Sequence, residues 1–245
     1  MEEKALRLSA VFLMILTAVS FVLLPKLPAL HTWEVEAREE RIAEEEFAQS
    51  QVTMQNLKIK EQNEAAGAKG ELSIRLPEGV TGDQIAVSND YVTQTIRVEI
   101  PQADRTYFDS YPVLGNSDYI DGLSYTRQGE TGVIEVTTNK VYELQTEYDA
   151  QNFYFNFLTP HEVYDKVVVI DAGHGGRAVG ANKQGINEKD IDLAIVLKLK
   201  EIFDNSDQNI GVYYTRTDDS NPTFDQRVQL ANKSDADLFL SLIHI

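Results

Sequence analysis

The chain has 245 residues, no cysteine, four histidines and a formal net charge of −17, a length sufficient for one or two domains with additional segments. The acidic balance excludes a nucleic-acid binder, which needs clustered Lys and Arg to neutralise phosphates. The missing thiols exclude a disulfide framework and thiolate metal sites, so a zinc ion here would need His, Asp or Glu ligands.

The amino terminus holds an uncharged apolar run, Leu8 to Leu24, preceded by Lys4 and Arg7. A membrane span needs about 20 apolar residues, with a range of about 17 to 25, and preceding positive charge favours an inside amino terminus. Residues 1–30 are therefore expected to be a cytoplasmic tip and single-pass anchor. The bulk of the chain would then lie on the extracytoplasmic side of the membrane. A cleavable signal peptide is the alternative, although "LPAL" is a poor cleavage site. Residues 31–70 are rich in Glu, Ala and Gln and free of proline. They predict an acidic, solvated helical stalk, with apolar positions too irregular for a clean heptad.

From residue 71 to residue 160 the pattern has a period of two. "ELSIRL", "QIAVSN", "TQTIRVEI", "GLSYTR", "GVIEVTT", "VYELQTEY" and "NFYFNFL" predict seven short strands of an antiparallel, sandwich-like all-β module. Its aromatic residues read as core and cross-strand pairs, and no catalytic cluster lies inside it. The module reads as a spacer or a binding unit.

The period changes again after "LTPHEVYDK". "VVVID" is a continuous apolar run, as in a strand covered on both faces. "EKDIDLAIVLKLKEIF" predicts a helix with Asn187 at its N-cap and an inward stripe of Ile191, Ile195, Leu199 and Ile202. "IGVYYTR", "TFDQRVQLANKS" and "ADLFL" continue as strand, helix and strand, which predicts α/β with a parallel sheet. His174 follows the first strand, where open α/β sheets bind ligands. Glu188 opens the next helix, and the intervening "GGRAVGANKQGIN" carries four glycines that let the backbone fold back. Histidine nitrogen and carboxylate oxygen suit zinc. A phosphate-cradling glycine turn is the rival reading, though the Lys and Ser/Thr of a P-loop are missing.

Four blocks in order, "VVVIDAGHGG", "GINEKD", "YYTRTDD" and "QRVQLANKSDADLF", resemble the start of the zinc-dependent N-acetylmuramoyl-L-alanine amidases of the amidase type 3 family. The resemblance covers residues 166–239, the first half of such a domain, and implies a partial amidase domain. It also implies Zn2+ as cofactor, His174 and Glu188 as the first two metal ligands, and peptidoglycan as substrate, cut between N-acetylmuramic acid and L-alanine. Arg216, Arg227 and Asn232 fall on recurrent family positions read as structural. The strand-rich region is similar to the AMIN-like modules placed ahead of such enzymes, which leaves room for a cell-division or regulatory protein partner.

The family continues to a Ser-x-His whose histidine is the third ligand. Here Ser241 is followed by His244, one position later than that spacing, and a one-residue slip turns a strand side chain to the opposite face. The ending "LSLIHI" is also the translation of CTG TCT CTT ATA CAC ATC, a transposon end used in sequencing adapters. Residues 240–245 are therefore expected to be an artefact. The third ligand and the catalytic glutamate of the family would lie past the chain end, leaving an inactive fragment. The alternative function is a non-enzymatic peptidoglycan-binding or regulatory membrane protein.

Overall fold

The computed structural model describes residues 35, 37–45, 55–61 and 69–243. The expected anchor and His244 lie outside these residues, and no helix among those described is long and apolar enough to cross a membrane. In chain order the structure runs through helix α1 (37–45) and strands β1 (Gln55–Asn56), β2 (Lys60–Glu61), β3 (Leu72–Arg75), β4 (Ala86–Asp90) and β5 (Thr95–Pro101). Helix α2 (Arg105–Ser110) precedes β6 (Leu114–Gly115), β7 (Ile120–Gln128), β8 (Thr131–Thr138), β9 (Glu143–Tyr148) and β10 (Asn152–Leu158). After α3 (Pro160–Val163) come β11 (Lys166–Ala172), the small pair β12 (Asn182–Lys183) and β13 (Ile186–Asn187), and α4 (Glu188–Asp204). Strand β14 (Ile210–Tyr214), α5 (Phe224–Lys233) and β15 (Leu238–Leu242) complete it.

Two five-stranded sheets, ordered β1-β7-β8-β5-β4 and β2-β6-β3-β10-β9, enclose one core. Inward positions from both, including Leu72, Ile74, Ile96, Val98, Ile134 and Phe155, form a single cluster, as alternation on facing sheets requires. All seven strands expected from the period-two pattern are present. The stalk expectation needs correction in two places. Residues 55–61 are not helical: β1 pairs antiparallel with β7, and β2 pairs with β6. The segment "LKIK" explains this, because Leu57 and Ile59 alternate with lysines and pack against the sandwich core. Nor is α1 fully solvated, since Ala43 is only 2% exposed.

The carboxyl-terminal unit is a three-stranded sheet, β14-β11-β15, parallel throughout. Central β11 is covered on both faces, which is why its sequence is continuously apolar. Val167 and Val169 pack with Leu230 of α5 and with Val141 of the sandwich. Ile170 and Ala172 pack with Val196, Leu199 and Phe203 of α4. The stripe expected to face inward on α4 is corrected. Ile191, Ile195 and Ile202 are exposed, while Asp192 and Val196 are buried. The helix is apolar on two sides, so periodicity does not choose between them.

The two units share polar contacts as well. Tyr213 donates to Glu143 Oε1 at 2.6 Å and Tyr91 donates to Glu143 Oε2 at 3.0 Å. Burial, reinforced by the Glu143 carboxylate, holds both phenols well above the ordinary tyrosine range. Phe155, on the most enclosed part of β10, is fully buried. Phe155→Ala is expected to cost about 3–5 kcal/mol of stability, read as a lowered urea midpoint.

Candidate metal centre

Strand β11 delivers the chain to the carboxyl end of the sheet, where Gly173, His174, Gly175 and Gly176 turn it back. His174, Gly175 and Gly176 have φ of 58°, 135° and 51°. Left-handed backbone is strained for a histidine and unstrained for glycine. Gly175 has a further reason: a Cβ there would strike the Ser220 carbonyl.

Two buried arginines hold this turn. Arg216 donates through Nε to the Ala172 carbonyl at 2.9 Å, and through Nη2 to those of Gly173 at 2.6 Å and Lys189 at 2.9 Å. Arg227 donates through Nη1 to Asp171 Oδ1 at 2.6 Å and to the Ala172 carbonyl at 2.7 Å, and through Nη2 to the His174 carbonyl at 2.8 Å. Asp171 also accepts from Thr215 Oγ1 at 2.7 Å and from Ser241 Oγ at 2.6 Å. Both arginines therefore act structurally, as the sequence reading expected, and what they position is the His174 backbone.

The two expected ligands come together. His174 is 9% exposed, and its Nε2 lies 3.3 Å from Glu188 Oε2 without the alignment of a hydrogen bond. Glu188 Oε2 also accepts from the Ala181 backbone at 2.8 Å, which ties the helix start to the glycine loop. A third group, missed in the sequence, is Asp192. Ligating atoms of His174, Glu188 and Asp192 all lie within 4.8 Å of one another. The missed signal was spacing, since residues four apart on a helix share a face. A fourth contact had no sequence signal: Glu39 Oε2 of α1 lies 2.7 Å from His174 Nδ1, across 135 positions of sequence. His161 is elsewhere, 2.8 Å from the Asp235 carbonyl.

The donor set fits a divalent metal on structural grounds. His174 Nε2 and Asp192 Oδ2 are buried and have no hydrogen-bond partner among the described residues, a state that normally demands a ligand, water or ion. Gly180, at φ 66°, keeps the space beside them open, because a Cβ there would approach His174 Nε2 to 2.6 Å and Glu188 Cβ to 2.8 Å. One imidazole and two carboxylates make an acceptable three-ligand zinc set. The electrostatics agree. Burial lowers the His174 pKa, but the Glu39 and Glu188 carboxylates outweigh it and raise the value overall. Burial, aided by Glu188, pushes Asp192 up to about 6. Glu188 and Asp192 repel one another when nothing positive sits between them.

Comparison with known sequences places this arrangement. The family profile described as N-acetylmuramoyl-L-alanine amidase matches residues 168–245. The chain is 40% identical over 75 residues to the N-acetylmuramoyl-L-alanine amidase CwlM of Bacillus licheniformis. It is 46% identical over 80 residues to an endolysin of Bacillus phage SPP1, and 40% identical over 78 residues to the N-acetylmuramoyl-L-alanine amidase AmiA of Escherichia coli.

Residues 168–245 match the amidase type 3 family.

The matches cover 31%, 33% and 31% of this chain. The chain spans less than a third of those relatives, at 30%, 29% and 26% of their lengths. The solved catalytic domain of CwlV, an amidase of Bacillus (Paenibacillus) polymyxa, is 40% identical, with 31% of this chain and 43% of that chain covered and a TM-score of 0.30. The amidase segment contains His174, Glu188 and Asp192 together with both turn-holding arginines.

A carboxyl with a raised folded pKa stabilises the fold below its unfolded value near 3.8, and that contribution is lost as pH rises through about 6. Metal-free protein is therefore expected to weaken between these values. Asp192→Asn should abolish that slope, leave stability unchanged at pH 3.5 and raise it above wild type at pH 7. Chemical denaturation in the presence of chelator reads this directly.

Proposed function

We propose that the protein is a zinc-dependent cell-wall hydrolase that cleaves the amide between N-acetylmuramic acid and L-alanine in peptidoglycan. The observation that carries this reading is the convergence of His174, Glu188 and Asp192, with His174 Nε2 and Asp192 Oδ2 buried and unpartnered among the described residues, at the carboxyl end of a parallel sheet inside a segment that matches the amidase type 3 family. His174 Nε2 and the two carboxylates would hold the ion. Zinc bound there supplies a Lewis acid for the scissile carbonyl and a water of lowered pKa. The protein's own contribution is preorganisation. Arg216 and Arg227 fix the turn carbonyls, so the imidazole is already placed before the ion arrives.

In this proposal Leu8–Leu24 anchors the chain in the cytoplasmic membrane, and the sandwich is an AMIN-like module engaging the wall or a cell-division partner outside it. The depth of contact between sandwich and amidase segment supports their acting as one body, since Val141 packs in the same cluster as Val167 and Val169.

His174→Ala and Glu188→Ala, each made in the full-length gene product, are expected to remove bound zinc and to reduce release of free stem peptides from peptidoglycan to background. Metal analysis and muropeptide chromatography measure both, and normal release by either variant rules the assignment out. The anchoring proposal has its own check. External protease added to spheroplasts should digest the region 71–160, and protection of that region would contradict an extracytoplasmic location.

A further inference from the structure

The amidase segment does not supply every group around His174. Its Nε2 faces Glu188 and Asp192, but its Nδ1 is taken by Glu39 at 2.7 Å. Glu39 belongs to α1, upstream of the whole sandwich. The contact is enclosed on both sides, because the His174 and Glu39 side chains are 8% and 15% exposed. The same helix is fastened independently. Glu40 Oε2 accepts the Phe224 backbone N–H at 2.8 Å, one of the four donors that the start of α5 leaves without helical partners. Ala43 is buried, and Glu45 lies 3.7 Å from Arg177.

We infer that Glu39 is a positioning residue for the metal centre, fixing the His174 ring so that Nδ1 carries the proton and Nε2 is presented to the ion. The chemistry follows from the two ring nitrogens. A metal-ligating imidazole must offer a lone pair on one nitrogen, and the hydrogen bond made by the other sets which one. An ionised carboxylate is acceptor-only, so Glu39 requires the proton on Nδ1 and frees Nε2. It also fixes the ring orientation and raises the basicity of the ligating nitrogen; partners of this kind typically contribute 10–100-fold in metal affinity. The consequence for this chain is that a segment outside the amidase match, residues 37–45, sets how tightly the site holds its ion.

This inference rests on the metal-centre reading, and the test separates the two. Zn2+ affinity of the full chain is measured by competition with a chromophoric chelator, for wild type, Glu39→Ala, Glu39→Gln and Glu40→Ala. Glu39→Ala should weaken binding about 10–100-fold. Glu39→Gln should fall between it and wild type, since an amide oxygen still accepts from Nδ1–H. Glu40→Ala, which loosens α1 without touching His174, should stay close to wild type. In the zinc-loaded wild type, nitrogen-15 NMR should show His174 metal-bound through Nε2 with a slowly exchanging Nδ1 proton. That protection should vanish in Glu39→Ala. Unchanged affinity in Glu39→Ala, equal losses in Glu39→Ala and Glu40→Ala, or metal bound through Nδ1 would overturn the positioning role while leaving the metal centre standing. Absence of zinc binding by the wild type would overturn both.

Discussion

The buried pair Asp171–Arg227 is the constraint on which the rest of the site depends. At 2.6 Å, with side chains 4% and 7% exposed, it is taken almost wholly out of water. Such a pair persists only if its remaining donors and acceptors are satisfied. Thr215 and Ser241 satisfy Asp171, and the carbonyls of Ala172 and His174 satisfy Arg227. Ala172 and His174 bracket the turn after β11. The same bonds that make the ion pair tolerable therefore hold His174 in a left-handed conformation that histidine would otherwise leave. Ser241, one of the six residues the sequence reading set aside as an artefact, lies inside the family match and pairs on β15 in register with Asp171. The edge strand thus completes the shell around the pair.

Around this pivot the candidate ligands and the group behind them come from three separate elements. The turn gives His174, the first two turns of α4 give Glu188 and Asp192, and α1 gives the carboxylate behind the imidazole. Glu188 and Asp192 arrive together because four residues make one helical step on the same face. Burying one carboxylate beside another is costly without a cation, and the raised Asp192 pKa, set by burial first and by Glu188 second, expresses that cost. A positive ion between the two carboxylates would relieve that cost.

The sandwich is also part of the site's support. Its β9 carries Glu143, which accepts from Tyr213 on β14 and Tyr91 after β4. The ring edge of one tyrosine meets the face of the other at 4.8 Å. Val141 closes the face of β11 that α4 leaves open. Removing the sandwich would expose Val167 and Val169, the strand residues that lead into the metal turn. The β module is thus structurally continuous with the α/β unit rather than tethered beside it.

Much of this was legible from the residues alone. Alternation in "TQTIRVEI" and "NFYFNFL" identified strands, the run "VVVID" identified a strand buried on two faces, and the glycine turn brought His174 and Glu188 together at the carboxyl end of the sheet. Each is a local pattern, with a period or spacing that backbone geometry translates directly into position. The strands at 55–61 were hidden because helix-favouring composition masked the short alternation of "LKIK". The inward face of α4 was misassigned because both of its faces are apolar. By itself, then, the sequence determined the strands, the parallel α/β order and the meeting of His174 with Glu188 at the end of β11, since these rest on neighbours within a few residues. The tertiary structure alone decided that α1 docks against the His174 turn, that Asp192 joins the His174–Glu188 cluster and that Glu39 reaches His174 Nδ1. Those outcomes depend on which surfaces are left uncovered once distant segments pack, and no local period encodes that.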